Sequence, residues 1–176
     1  MPDTPDALSP RTHPTDDSPA TTDARDDPSL SVLPARFRDV PYVYARHPQA
    51  VAPGNLAAGA NCQLYAYAFL AHHGLRVPPL HSSDLWADDT ATVRVVGEPE
   101  PLDLLLFDAG PRPDRDPGYA AHIGVHLGPD RVLHLCQEIG RPAIWSYAQF
   151  AARPRYARLF GIKRCRPRTE QKQPLP

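Results

Sequence analysis

One cysteine, Cys62, and two histidines, His122 and His134, are the residues of this chain whose types and spacing could do chemistry together. Cys62 stands in Asn61-Cys62-Gln63-Leu64-Tyr65-Ala66-Tyr67-Ala68-Phe69-Leu70, directly after a residue type that caps helices well. His122 leads the run His122-Ile123-Gly124-Val125-His126-Leu127-Gly128, and His134 follows in Arg131-Val132-Leu133-His134-Leu135. A thiol attacks as the thiolate, which a helix N-terminus and a neighbouring imidazolium both favour. An imidazole beside the sulfur can act as general base and then as general acid. A second group on the adjacent strand can hold the tautomer of that imidazole. The combination suits covalent acyl transfer to sulfur.

These residues need elements to position them. Leu64, Tyr65, Ala68 and Phe69 recur at helical spacing, and His72-His73-Gly74 resembles a stop, so a helix is predicted from Cys62 with Asn61 as its N-cap. Before it come a short aromatic piece, Val40-Pro41-Tyr42-Val43-Tyr44, and a Pro/Gly/Asn loop through Gly59. A short helix is predicted from His81 to Trp86, then strands over 92–96, 102–107, 122–127 and 132–137. Gly128-Pro129-Asp130 would join the last two as an antiparallel hairpin. A helical stretch at 146–151 and a closing strand at 156–164 complete an α+β layout. Along the His122 strand, Ile123, Val125 and Leu127 would face a core. His122, Gly124 and His126 would share the other face, with Gly124 leaving room for backbone or substrate. His126, roughly 13 Å further along, reads as an ordinary surface residue.

At 176 residues the chain is long enough for one domain with a real core. Residues 1–32 read as a disordered, acidic, Pro-rich tail, 33–166 as the folded domain and 167–176 as a second loose tail. Seven aspartates and two arginines in residues 1–30 leave the remainder mildly basic. No run of that charge is dense enough to suggest nucleic acid. Three cysteines without a C-x-x-C pair argue against a disulfide scaffold or a zinc finger; Cys136 and Cys165 read as small buried hydrophobes or an optional pair. Neither a signal peptide nor a membrane-length apolar run is visible, so a cytoplasmic protein without membrane contact is expected. Thiol and imidazole suffice for the chemistry, so neither a cofactor nor a metal is expected. His72-His73 reads as a pair of helix-end cations, and Asp88-Asp89 as a solvated loop.

The ordered set of segments resembles the NlpC/P60 cysteine peptidases, papain-like hydrolases of cell-wall and related peptides. The matching pieces are Pro41-Tyr42-Val43-Tyr44, Asn61-Cys62-Gln63-Leu64, Leu102 to Phe107, His122 to Gly128, Val132-Leu133-His134 and Arg158-Leu159-Phe160-Gly161, spanning about residues 37–164. The resemblance implies a helix carrying the nucleophile, packed on an antiparallel sheet. It implies Cys62 as nucleophile, His122 as base and His134 as the orienting third residue. Tyr42 would help hold the oxyanion or substrate, with Asn61 and Gln63 in the wall beside it; Tyr44 reads as packing. Asn61 stands where the family usually has the aspartate associated with recognising a wall peptide's free amine. Gln63-Leu64 replaces Ser-Gly, and Ala45-Arg46 replaces Gly-Gly.

The expected function is therefore a cysteine hydrolase that cleaves an amide bond in a small or cell-wall-type peptide through a thioester on Cys62. Its partner would be that peptide or a peptidoglycan fragment, and a monomer is expected. If an amine or alcohol resolves the thioester, the protein is instead an acyltransferase or transamidase. A catalytically silent papain-like binding module is the non-enzymatic alternative.

Overall fold

The computed structural model describes residues 28–167. Helix α1 (Cys62–His72) begins where Asn61 Oδ1 accepts the Leu64 N–H at 2.8 Å, as the sequence predicts. It ends in a Schellman motif at Gly74 (φ +80°): Leu75 N–H donates to Leu70 O at 3.0 Å and Gly74 N–H to Ala71 O at 3.1 Å. Every residue from Gln63 to Leu70 is buried, because α1 is enclosed between a sheet and the chain that precedes it. A helix apolar on all sides can be stable only in such a position. Phe37 supplies part of the cover, meeting Tyr65 and Phe69 edge-on, and Tyr65 donates its hydroxyl to Phe37 O at 2.7 Å.

The sheet has six strands: β1 (Thr92–Arg94), β2 (Leu104–Asp108), β3 (His122–Gly128), β4 (Arg131–Leu135), β5 (Pro142–Trp145) and β6 (Arg158–Cys165). Their order is β1-β6-β2-β3-β4-β5, every neighbouring pair antiparallel. Helix α2 (Ser82–Ala87) precedes β1, and α3 (Tyr147–Ala151) follows β5 under a capping box of Ser146 and Gln149. Both faces of the sheet are covered. Ile123, Val125, Leu133 and Leu135 join α1 in the larger core, whereas Leu105, Phe107, Val132, Trp145, Phe150 and Tyr156 form a second one on the opposite face.

Several elements differ from the expected ones. Strand β5 was not foreseen, because Arg141-Pro142 punctuates like a loop; proline is tolerated there as the first residue of an edge strand. Leu102 stands outside β2 with φ +75°, Cys136 lies beyond β4, and Tyr156 forms a 3-10 turn with Pro154 before β6. The N-terminal boundary also moves. Residues 28–32 make a 3-10 turn, and Leu30 and Leu33 are buried in the main core. The tail composition averages over Leu30, one apolar residue that has a core to enter. The rest of that tail, and the residues after 167, lie outside the described ones. Cys62, Cys136 and Cys165 are all free thiols. Among the described residues no helix is long and apolar enough to cross a membrane, and no His/Cys/Asp/Glu group could hold a metal ion. Asp88 is more than a solvated loop residue: its carboxylate accepts the Thr92 N–H at 2.7 Å and the Thr92 hydroxyl at 2.6 Å.

The segment leading into α1 is held against residues 41–43. Val43 N–H donates to Ala60 O at 2.8 Å, Ala60 N–H to Pro41 O at 3.0 Å, and Tyr42 bridges Ala60. Gly59 permits this approach. Its φ is +94°, and a Cβ there would lie 2.6 Å from Pro41 O and 2.6 Å from Val43 Cγ2. Gly59→Ala should lower stability by about 2–3 kcal/mol, read from urea unfolding, and should displace Tyr42 from the helix start. A loss below about 0.5 kcal/mol would mean that the loop relocates at no penalty.

Candidate active site

Cys62 opens α1 and is half-buried, at the floor of a cleft of about 820 Å³ that His122 also lines. The backbone N–H groups of Ile123, Gln63 and Cys62 itself face the sulfur and favour thiolate, but burial outweighs them and pushes the thiol up. The helix-end amides that the sequence leads one to expect are present, and desolvation acts against them. The amide of Ile123 ties the sulfur to the start of β3, where the preceding residue is His122.

His122 and His134 meet across the β3–β4 ladder. Gly124 pairs with His134, so His122 is the diagonal neighbour of His134 on the same face. His122 Nε2 lies 3.0 Å from His134 Nδ1, with the rings nearly perpendicular at 89°. His122 is 8% exposed and His134 is completely buried. Gly124 does leave room, but Val132 takes it: a Cβ on Gly124 would stand 2.6 Å from Val132 Cγ1. Trp145 and Phe150 enclose His134, with ring centroids at 4.2 and 4.8 Å. His134 Nε2 has no hydrogen-bond partner in that aromatic box. Burial pushes the His122 imidazole down to about 3, with the Arg155 guanidinium adding to the effect. Burial, His122 and Arg153 likewise hold His134 well below the usual histidine range.

The pair is thus neutral, and one ring must donate to the other. If His122 Nε2–H donates to His134 Nδ1, then His122 Nδ1 carries a lone pair and can accept a proton from the cleft. His134 then carries its proton on Nε2. A neutral partner orients the base without adding a negative charge beside it.

Tyr42 is half-buried beside Cys62, and its phenol is pushed up to about 12, mainly by burial and then by the cysteine. It remains a protonated O–H donor at neutral pH. Asn61 and Gln63 both contribute surface to the cleft. Within the protein, the Asn61 side chain caps α1, while Gln63 Nε2 donates to Leu80 O at 3.2 Å and to Tyr67 Oη at 3.4 Å. Tyr44, expected to be a packing residue, is 77% exposed on the cleft rim. His126, expected at the surface, is 5% exposed and lies 3.1 Å through Nδ1 from the Tyr147 hydroxyl. Helix α3 and its flank cover that face, which the alternation of β3 alone could not reveal.

Several site residues carried no sequence signal. Arg46, in the departure from Gly-Gly, ties the loop by donating from Nε to Gly59 O at 2.7 Å and from Nη2 to Asn55 O at 3.0 Å. Asp108 and Arg158 form a two-pronged pair at 2.7 and 2.6 Å across β2 and β6, which holds the Asp108 carboxyl below its usual range. Arg155 and Tyr156 come to the cleft from the turn before β6. Arg46 acts within its own loop, whereas the placement of Asp108, Arg155, Tyr156 and Arg158 depends on β6 pairing with β2 from a distant part of the chain.

Among solved structures the chain is similar to an NlpC/P60 family protein from Bacillus cereus ATCC 10987, with a TM-score of 0.50 and 19% identity. The similarity covers 74% of this chain and 37% of that one, so the chain spans little more than a third of its neighbour's length. No family model matches the sequence, and no curated protein matches it. The similarity establishes the fold: an α+β, papain-like arrangement with α1 packed on the antiparallel sheet.

Proposed function

We propose that this protein is a cysteine hydrolase that cleaves an amide bond in a small or cell-wall-type peptide. The observation that carries the reading is that Cys62 and His122 line one cleft, with His134 buried behind His122 and 3.0 Å from it. In this reading His122 Nδ1 takes the Cys62 proton as Sγ attacks the substrate carbonyl carbon. The Cys62 N–H and the Tyr42 hydroxyl would hold the oxyanion, a kind of donor worth ~3–4 kcal/mol of barrier. His122 returns the proton to the leaving amine, which departs and leaves a thioester on Cys62. Water then adds to the thioester with His122 as base, and the free acid and the thiol are regenerated. His134 acts through His122 by holding its tautomer.

Because thiol and imidazole are both neutral at rest, the proton moves during attack and not before it. Tyr44 and Tyr119 are exposed at the edge of the cleft, and water is the acceptor in this reading. Incubation with a panel of α- and γ-linked peptides, followed by mass spectrometry, tests the reading. The expected result is cleavage of at least one class and an acyl adduct on Cys62 after rapid acid quench. Cleavage with no adduct, retained after Cys62 is blocked, would overturn it. Added amines that are incorporated in place of water would convert the assignment to acyl transfer.

A further inference from the structure

We infer that the indole of Trp145, on β5, receives the His134 Nε2–H and so acts as a positioning residue. It fixes the one tautomer of the His122–His134 pair that leaves His122 Nδ1 bare. The tautomer stands on the geometry alone; only the use of that lone pair against Cys62 rests on the hydrolase reading.

Two neutral imidazoles carry one proton each, and the 3.0 Å approach of His122 Nε2 to His134 Nδ1 needs a proton between them. That leaves two arrangements. With the proton on His122 Nε2, His134 is protonated at Nε2 and His122 Nδ1 is a lone pair. With the proton on His134 Nδ1, His134 Nε2 is bare and His122 Nδ1 is an N–H, a donor and no base. The surroundings of His134 Nε2 choose between them. His134 has no exposed surface, and its Nε2 is buried with no hydrogen-bond partner. Trp145 packs on it edge to face, with centroids 4.2 Å apart at 61°, and Phe150 lies at 4.8 Å. The face of an aromatic ring is the negative part of its quadrupole and attracts an N–H. A bare lone pair in the same place is repelled and has also lost its hydration.

The indole already serves as an acceptor of this kind. The Arg153 guanidinium lies 3.8 Å over it, held by Glu138 Oε1 at 3.0 Å and Gln149 O at 2.7 Å, and makes no hydrogen bond to His134 Nε2. The sheet builds the arrangement. Gly124 pairs with His134, and Val132 with Trp145, so His122, His134 and Trp145 are successive diagonal neighbours on one face of β3, β4 and β5. Phe150 is fixed beside them by stacking on Phe107 at 4.0 Å. A carboxylate at the end of this line would stabilise an imidazolium. An indole stabilises an N–H instead, and keeps the pair uncharged until Cys62 gives up its proton.

Long-range proton–nitrogen NMR correlation on the full chain at neutral pH reads the tautomers, because protonated and bare ring nitrogens have well separated shifts. His122→Gln and His134→Gln assign the signals. Both histidines should be protonated at Nε2 and bare at Nδ1, and the indole ring current should move the His134 Nε2–H upfield. A His134 protonated at Nδ1 would overturn the inference. Two variants then locate the acceptor. Trp145→Phe keeps a ring face, so it should keep the tautomers and show a smaller ring-current shift. Trp145→Leu should raise the Nδ1-protonated fraction of His134 about fivefold. Its kcat should fall in proportion to the Nε2-protonated fraction lost, with KM unchanged. An unchanged spectrum in Trp145→Leu would overturn the role of Trp145. If that variant does not fold, Trp145→Phe decides, and a His134 Nε2–H unmoved by it overturns the role equally. The expected tautomers in a protein that hydrolyses no peptide would support the inference and overturn the hydrolase reading instead.

Discussion

Cys62→Ala is expected to remove peptide hydrolysis, with kcat/KM falling on the order of 10⁴-fold or more, while the protein remains folded. Only a half-buried thiol at the cleft floor is lost, and the helix cap at Asn61 is untouched. His122→Ala should produce a comparable loss, and the double variant should be little worse than either, because nucleophile and base act as one unit. Near-wild-type hydrolysis by purified Cys62→Ala protein would end the thioester mechanism. The state of the thiol is part of the same expectation. Because burial pushes Cys62 up, alkylation by iodoacetamide should rise mainly above pH 8.5, the ordinary thiol value being about 8.5. Fast alkylation at pH 6 would instead reveal a preformed thiolate–imidazolium pair.

The second large effect is on stability against pH. His122 is pushed down to about 3, and His134 shifts the same way, against about 6.5 in an unfolded chain. Below pH 6.5 the unfolded chain therefore binds more protons than the folded one, and stability falls as pH falls. The contribution is complete above about pH 6.5 and is lost progressively toward pH 3. Between pH 7 and pH 5 His122 alone should cost about 2 kcal/mol, and His134 should add to it. Urea unfolding at pH 7, 6 and 5 reads this directly. Asp88 and Asp108 shift downward as carboxylates do, so they act below this window. His73 and His126 are also lowered, which is why the comparison is with His122→Gln, a change that removes one group. Its slope between pH 7 and 5 should be shallower by about 0.7 proton on average. An identical slope would show that His122 is not held neutral in the folded protein.

Much of the scaffold was legible in local signals. Asn61 before Cys62, the Gly74 stop and the Gly128-Pro129-Asp130 turn each act over a few residues, and the structure places a cap, a Schellman end and a hairpin there. The α+β class followed from one helix and a succession of strand-like runs. Strand β5 escaped notice because Pro142 reads as a breaker unless one knows that it begins an edge strand. His126 was misplaced for a related reason: alternation along β3 shows that two faces exist, but not that α3 buries the second.

The candidate site divides along the same line. By itself the sequence determined the residue types, their order, and the start of a helix at Cys62, since a cap and a periodic apolar run are local properties of the chain. Only the tertiary structure decided that His122 and His134 stand 3.0 Å apart in an aromatic enclosure. It likewise decided that Tyr42 is held at the helix start through Gly59, and that Arg155 shares the wall of the cleft. It also brought the burial that pushes the Cys62 thiol up against the pull of the helix-end amides. Distances and desolvation depend on which distant segments pair and which faces are covered, and those are properties of the assembled sheet and its two cores.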